Sequence, residues 1–125
     1  MTQIDFRALF DTLPSPHMVL DRNLCFVEAN QAYRAVTERT REELIGRGLF
    51  EMFPDPGPSG KRLRDSLEKV LATGEPDTLA LIPYAIPLPR SRGGGVELRY
   101  WSAVHTPLFD AAGPGAPVMQ NPGGG

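Results

Sequence analysis

Residues 95–109 alternate in character over most of their length. Val96, Leu98, Tyr100, Ser102 and Val104 fall on one side, and Glu97, Arg99, Trp101, Ala103 and His105 on the other. A two-residue period belongs to a pleated strand, not to a helix, so this run commits the chain to a long strand. Such a strand carries a row of backbone donors and acceptors along each edge and needs partners. The nearest partner is residues 77–88, which carry Leu79, Leu81, Ile82, Tyr84 and Ile86. The Gly-rich segment 89–95 joins the two as a long, mobile hairpin loop. Val96, Leu98, Tyr100, Ser102 and Val104 are expected to face inward.

A second, shorter hairpin is expected near the N-terminus. Residues 17–21 and 24–29 read as strands, with Asp21-Arg22-Asn23 supplying the turn. The segment between the hairpins has a helical period. Asn30 caps a helix that runs to about Glu38. Thr40 and Glu43 have the spacing of a capping box and open one helical stretch, which Gly46 closes. Leu49–Phe53 is a short apolar turn. Residues 60–73 form the clearest helix, with Leu63, Leu67, Val70 and Leu71 in one stripe, Ser59 as the cap and Gly74-Glu75-Pro76 at the end. Ahead of all this, residues 5–13 repeat Phe6, Leu9, Phe10 and Leu13 behind the potential cap Asp5, which predicts an amphipathic flanking helix. Strands first, helices in the middle and strands last predict an α+β fold, with one antiparallel sheet and helices on one face.

Composition narrows the function classes. With 125 residues, 41% hydrophobic and 22% charged, the chain suits one ordinary globular domain. A net charge of −2 gives no electrostatic footprint for nucleic acid or an anionic membrane, so neither is expected as a partner. No apolar run approaches the ~20 residues of a membrane span, and the first residues carry no secretory signal. The lone Cys25 excludes an internal disulfide and fits a reducing cytoplasm. Thirteen glycines and thirteen prolines cluster at 54–60, 87–95 and 113–125. The chain therefore divides into a flanking helix at 1–14, a domain at 15–113 and a Pro/Gly-rich tail at 114–125, expected to be disordered.

Element order and residues together resemble the PAS family of sensory domains. The run LFDTLPSPHMVLDRNLCFVEANQAYRAVTERTREELIGRGLFEMFPD is similar to the PAS opening, with matches at Asp21, Asn30, Ala32, Thr37, Leu44, Ile45 and Gly46. The later ELRYWSAVHTPLFDAAG is similar to the penultimate strand of PAS domains in bacterial sensor histidine kinases and hybrid regulators. The resemblance covers about residues 4–113. It implies a signal-receiving module without catalytic residues of its own, a homodimer, and a linked output domain or partner kinase. The family normally ends on a fifth strand. After Gly113 this chain offers Pro114-Gly115-Ala116-Pro117-Val118-Met119, and prolines cannot donate to a ladder. The final strand is therefore expected to be missing, or reduced to a stub around 116–120.

Each candidate chemistry meets a plainer alternative. Haem-binding members of the family carry a histidine on or near the long helix, whereas His17 and His105 are the chain's only histidines and lie elsewhere. Flavin-binding members place a cysteine on a mid-domain helix, whereas Cys25 falls on a strand and reads as a small buried hydrophobe. Haem and flavin are thus disfavoured, and no cofactor is evident. Three dispersed residues, His17, Cys25 and His105, make no metal cluster. Ser102, His105 and Asp110 contain the letters of a hydrolase triad, but Ser102 and His105 lie on opposite strand faces. A small α+β enzyme of the cone-shaped isomerase type would need a buried Asp or His base, and the expected inward positions offer only Tyr and Ser. Lys61, Arg62 and Arg64 read as a solvated helical turn.

The aromatic set is more informative. In a PAS fold, Phe26, Tyr33, Phe50, Phe53, Leu67, Leu81, Tyr84, Tyr100 and Ser102 come from elements that enclose a pocket, and either an unidentified small molecule or a filled core fits them. Phe6, Leu9 and Phe10 on the flanking helix, with Trp101 on the outer sheet face, are the candidate dimer surface.

Overall fold

A computed structural model of the chain describes residues 5–54, 56–87, 90–108 and 117–122. The elements run α1 (Phe6–Thr12), β1 (Met18–Leu20), β2 (Phe26–Ala29), α2 (Gln31–Thr37), α3 (Arg41–Leu44), α4 (Leu49–Met52), α5 (Pro58–Thr73), β3 (Asp77–Pro87), β4 (Val96–Pro107) and β5 (Val118–Pro122). The five strands form one antiparallel sheet in the order β2-β1-β5-β4-β3.

Local chemistry accounts for most boundaries. The Asp5 carboxylate accepts from the Arg7 and Ala8 amides and caps α1. In the β1–β2 turn, Asp21 Oδ1 accepts from the Asn23 and Cys25 amides, and Leu24 takes a φ of 60° to complete the reversal. Thr40 and Glu43 form the reciprocal capping box of α3. Gly46, at φ 86°, then turns the chain so that its amide reaches the Phe26 carbonyl, a geometry that favours glycine. Gly74 closes α5 in the left-handed conformation. Ser59 is not the cap of α5. The helix starts at Pro58 behind Gly57, because proline at the first helical position lacks only an amide that would be unpaired there.

At the C-terminus the structure takes the second of the two alternatives, a shortened final strand, and corrects the expectation of a disordered tail. Val118–Pro122 is a strand and lies in the middle of the sheet, paired to β1 on one side and β4 on the other. The disordered tail expected at 114–125 therefore contains the central strand, shortened but present. Pro117 immediately precedes the strand and its carbonyl accepts from the Leu108 amide, while Pro122 ends it, so neither proline interrupts the ladder.

Strand β4 corrects a second expectation. Among its described side chains Ala103, His105 and Pro107 are buried, while Ser102, Val104 and Thr106 are half-buried. The inward face is thus the one read as outward. Val96 is 69% exposed, so it does not mark the core face at the far end of the β3–β4 hairpin. Ala103 pairs with the buried Leu79, and small residues suit a position where a helix lies close above the sheet. That helix is α5, which crosses β3, β4 and β5 and buries Ser66, Leu67 and Val70.

Candidate functional site

Five of the nine expected pocket residues converge. Phe26 on β2, Tyr33 on α2 and Leu67 on α5 are buried in one apolar cluster, with Phe50 and Phe53 packed against it. The Phe26 ring lies 5.8 Å from that of Tyr33 and 6.3 Å, edge-on, from that of Phe53. Burial raises the Tyr33 phenol above its ordinary pKa. Phe50 is covered by the Arg64 guanidinium, 4.2 Å from the ring centroid. These rings form an aromatic wall beneath the helices, packed as core. Ser102 does not join it, being on the opposite face of β4 from His105. The side chains of Leu81, Tyr84, Tyr100 and Trp101 lie outside the described residues, as does Asp110.

The basic turn at the start of α5 bonds within the chain. Lys61 pairs with Asp65 at 2.8 Å, and Arg62 donates to the Ala80 carbonyl at 2.9 Å. Among the described residues no group of three metal-ligating side chains is present.

Among the described residues the polar centre of the sheet is His105, which the alternation along β4 places on the outward face and the structure places inward. It is fully buried. Its Nδ1 lies 2.7 Å from Ser66 Oγ on α5, and its Nε2 lies 2.9 Å from the Gln120 amide nitrogen on β5. Ser66 Oγ also lies 2.7 Å from Asp77 Oδ2 at the start of β3, and Lys69 Nζ lies 3.3 Å from the other Asp77 oxygen. Burial holds the imidazole down to a pKa of about 4, with the Asp77 carboxylate pulling part of the way back. The hydrogen bond from Ser66, with Lys69 beside it, holds the Asp77 carboxyl below the usual carboxylate range. A buried histidine of the kind a general base requires is therefore present. Both of its ring nitrogens are already bonded to protein groups, so the ring offers neither one to a substrate.

A second feature is the groove under α1. It encloses about 330 Å³ and is lined by Arg7, Phe10, Asp11, Glu28, Arg34 and Arg41, among others. Arg34 bonds Asp11 at 2.8 Å, and Glu28 takes Arg41 at 3.0 Å and Arg7 at 3.5 Å. Of the expected dimer surface, Phe6 is 73% and Leu9 52% exposed, whereas Phe10 turns inward, edge-on to the His17 ring at 6.2 Å.

Residues 10–116 match the family model described as PAS fold. Among solved structures, VqmA of Vibrio cholerae in complex with a ligand and DNA superposes with a TM-score of 0.68 at 26% identity, covering 98% of this chain and 51% of that one. VqmA bound to DPO gives 0.65 at 26% identity, covering 94% and 55%. The PAS domain of Bordetella pertussis BvgS gives 0.65 at 19% identity, covering 94% and 81%, which is a likeness of fold. The chain spans about half the length of VqmA. No curated protein matches the chain. The expectation of no nucleic-acid partner finds no support in this company, since VqmA is seen with DNA.

Proposed function

Because this chain belongs to the PAS-fold family, we propose that it is a sensory module that receives a small-molecule signal and passes it to a linked or partner output domain. The observation that carries the reading is the likeness to VqmA, at 26% identity over nearly the whole chain, in its DPO-bound form. Phe26, Tyr33, Phe50 and Phe53 are the aromatic residues that a small ligand would contact, and its entry would have to part rings that pack here as core. Binding would favour one of two arrangements of the helices over the sheet, and the output would read the difference. Solved structures that share this fold include a sensor histidine kinase and VqmA in complex with DNA. Reaction chemistry, where the whole protein has any, belongs to the output.

The second reading is a ligand-free dimerisation module. The filled packing of the aromatic cluster and the exposed Phe6 and Leu9 on α1 favour it. Titration with DPO, followed by intrinsic fluorescence and sedimentation, separates the two. Saturable binding supports the sensory reading. A stable dimer that binds neither DPO nor any compound released from the purified protein supports the other.

A further inference from the structure

The buried row around His105 has only one consistent direction. The Gln120 amide nitrogen can only donate, so His105 Nε2 at 2.9 Å must be bare. A neutral ring then carries its proton on Nδ1 and donates it to Ser66 Oγ at 2.7 Å. The Ser66 hydroxyl has a single proton, and it goes to Asp77 Oδ2 at 2.7 Å. The opposite tautomer would set Nε2–H against an N–H. It would also leave Nδ1 and Asp77 competing for one hydroxyl proton. Each partner comes from a different element. Ala29, Met18, Gln120, His105 and Asp77 are successive cross-strand partners through all five strands, and Ser66 reaches them from α5 above.

We propose that Ser66, His105 and Gln120 form a latch of fixed hydrogen-bond direction that ties helix α5 to the C-terminal strand β5. Pairing to β1 and β4 holds β5 in the sheet, and the latch adds a third restraint from the helix layer. Displacing α5 by more than a hydrogen-bond length strands the Nδ1 proton in a buried site and loosens the ring that holds Gln120. A shift of the helix is thereby felt at the last strand. The described charged groups at the ring are Asp77 on β3 and, behind it, Lys69 on α5; β5 presents Gln120 and β1 presents Met18. The imidazole stays neutral well below pH 6, so the latch keeps its direction through the physiological range. The latch is a property of the fold and holds whether or not a small molecule is the signal.

The test is nitrogen-detected NMR of the histidine rings, combined with amide exchange. In the parent chain His105 is expected as the pure Nδ1–H form from pH 8 to pH 6, and an Nε2–H or mixed ring overturns the proposal. In Ser66→Ala the amides of β5 are expected to exchange about tenfold faster than in the parent, with a smaller change in the β1–β2 hairpin. An equal factor in both regions overturns the coupling. Gln120→Met keeps a side chain of similar length without the donor and guards against a Ser66 variant that does not fold. Its ring is expected to stay Nδ1–H, because Asp77 still takes the Ser66 hydroxyl proton, while the β5 amides exchange faster as in Ser66→Ala. A β5 exchange unchanged from the parent removes Gln120 from the latch.

Discussion

Arg34 on α2 reaches Asp11 on α1 at 2.8 Å with the same Nη1 that donates to the Ala29 carbonyl at 2.7 Å. One guanidinium nitrogen therefore joins the flanking helix to the end of β2. The pair is partly exposed, so its contribution to global stability is expected to be below about 1 kcal/mol. Its local effect is larger, because α1 buries none of its residues fully. Arg34→Ala is expected to speed proteolytic removal of the first 13 residues several-fold while the melting temperature changes little, and raised salt is expected to do the same to the parent chain. Limited proteolysis followed by mass spectrometry reads both, and equal cleavage rates would contradict the clasp.

Asn30 is fully buried, with every described polar bond made to the backbone. Its Oδ1 accepts from the His17 and Tyr33 amides, and its Nδ2 donates to the Ser15 carbonyl. It caps α2 and fixes the entry to β1 together. Asn30→Ala removes a cap and strands two partly buried backbone groups, the His17 amide and the Ser15 carbonyl, so a loss of about 2–4 kcal/mol is expected in urea unfolding. A loss near that of a surface substitution would show that the two segments hold without it.

The buried imidazole sets an acid limit. His105 has an ordinary pKa of 6.5, lowered to about 4 in the folded chain. Between these values the unfolded chain binds a proton that the folded chain does not, so stability falls as pH drops through that window. The full loss corresponds to about 3 kcal/mol. Asp77 adds a loss at lower pH, since its carboxylate is held down and stability is lost as it protonates. The His105 slope fades out about one pH unit above 6.5, and Asp77 contributes none there. Urea unfolding at pH 7, 5.5 and 4.5 is expected to show the decline in the parent and a flatter profile in His105→Gln.

Strand β5 lies between β1 and β4, so removing it exposes two ladder edges at once and leaves His105 Nε2 without its donor. Deleting residues 117–125 is expected to abolish the cooperative thermal transition, whereas deleting 123–125 is expected to leave it unchanged. A cooperative transition in the longer deletion would show that the sheet stands without its central strand.

The sequence spelled out what depends on neighbours in the chain. Asp5, Asn30, Thr40 with Glu43, and Gly74 act as caps where their spacing places them, because capping is decided within four residues. What it hid depends on the third dimension. The face of β4 was misread because Val96, Leu98 and Val104 outnumber the apolar residues opposite. Burial there is set by α5 lying over Ala103 and His105, not by hydrophobicity along the strand. The central strand was legible only as a stub around 116–120, because Val118-Met119-Gln120-Asn121 is short and flanked by prolines, and its place in the middle of the sheet comes from its two partners. Of the expected pocket, Phe26, Tyr33, Phe50, Phe53 and Leu67 were legible as helical or strand-face apolar positions, while Ser102 followed the misread face. His105 could have been found from the alternation itself, by testing which β4 face offers the small Ala103 to a covering helix.

The central claim, that this PAS domain senses a small molecule, is tested most directly by melting the purified chain against fractionated small-molecule extracts of the cells that produce it, with DPO included as a defined compound. A ligand at a hundred times its dissociation constant adds about 2.7 kcal/mol of stability, which for a domain of this size raises the melting temperature by several degrees. At least one fraction is expected to do so in a saturable way. A melting temperature unmoved by every fraction, in a protein that releases no bound compound on denaturation, would contradict it.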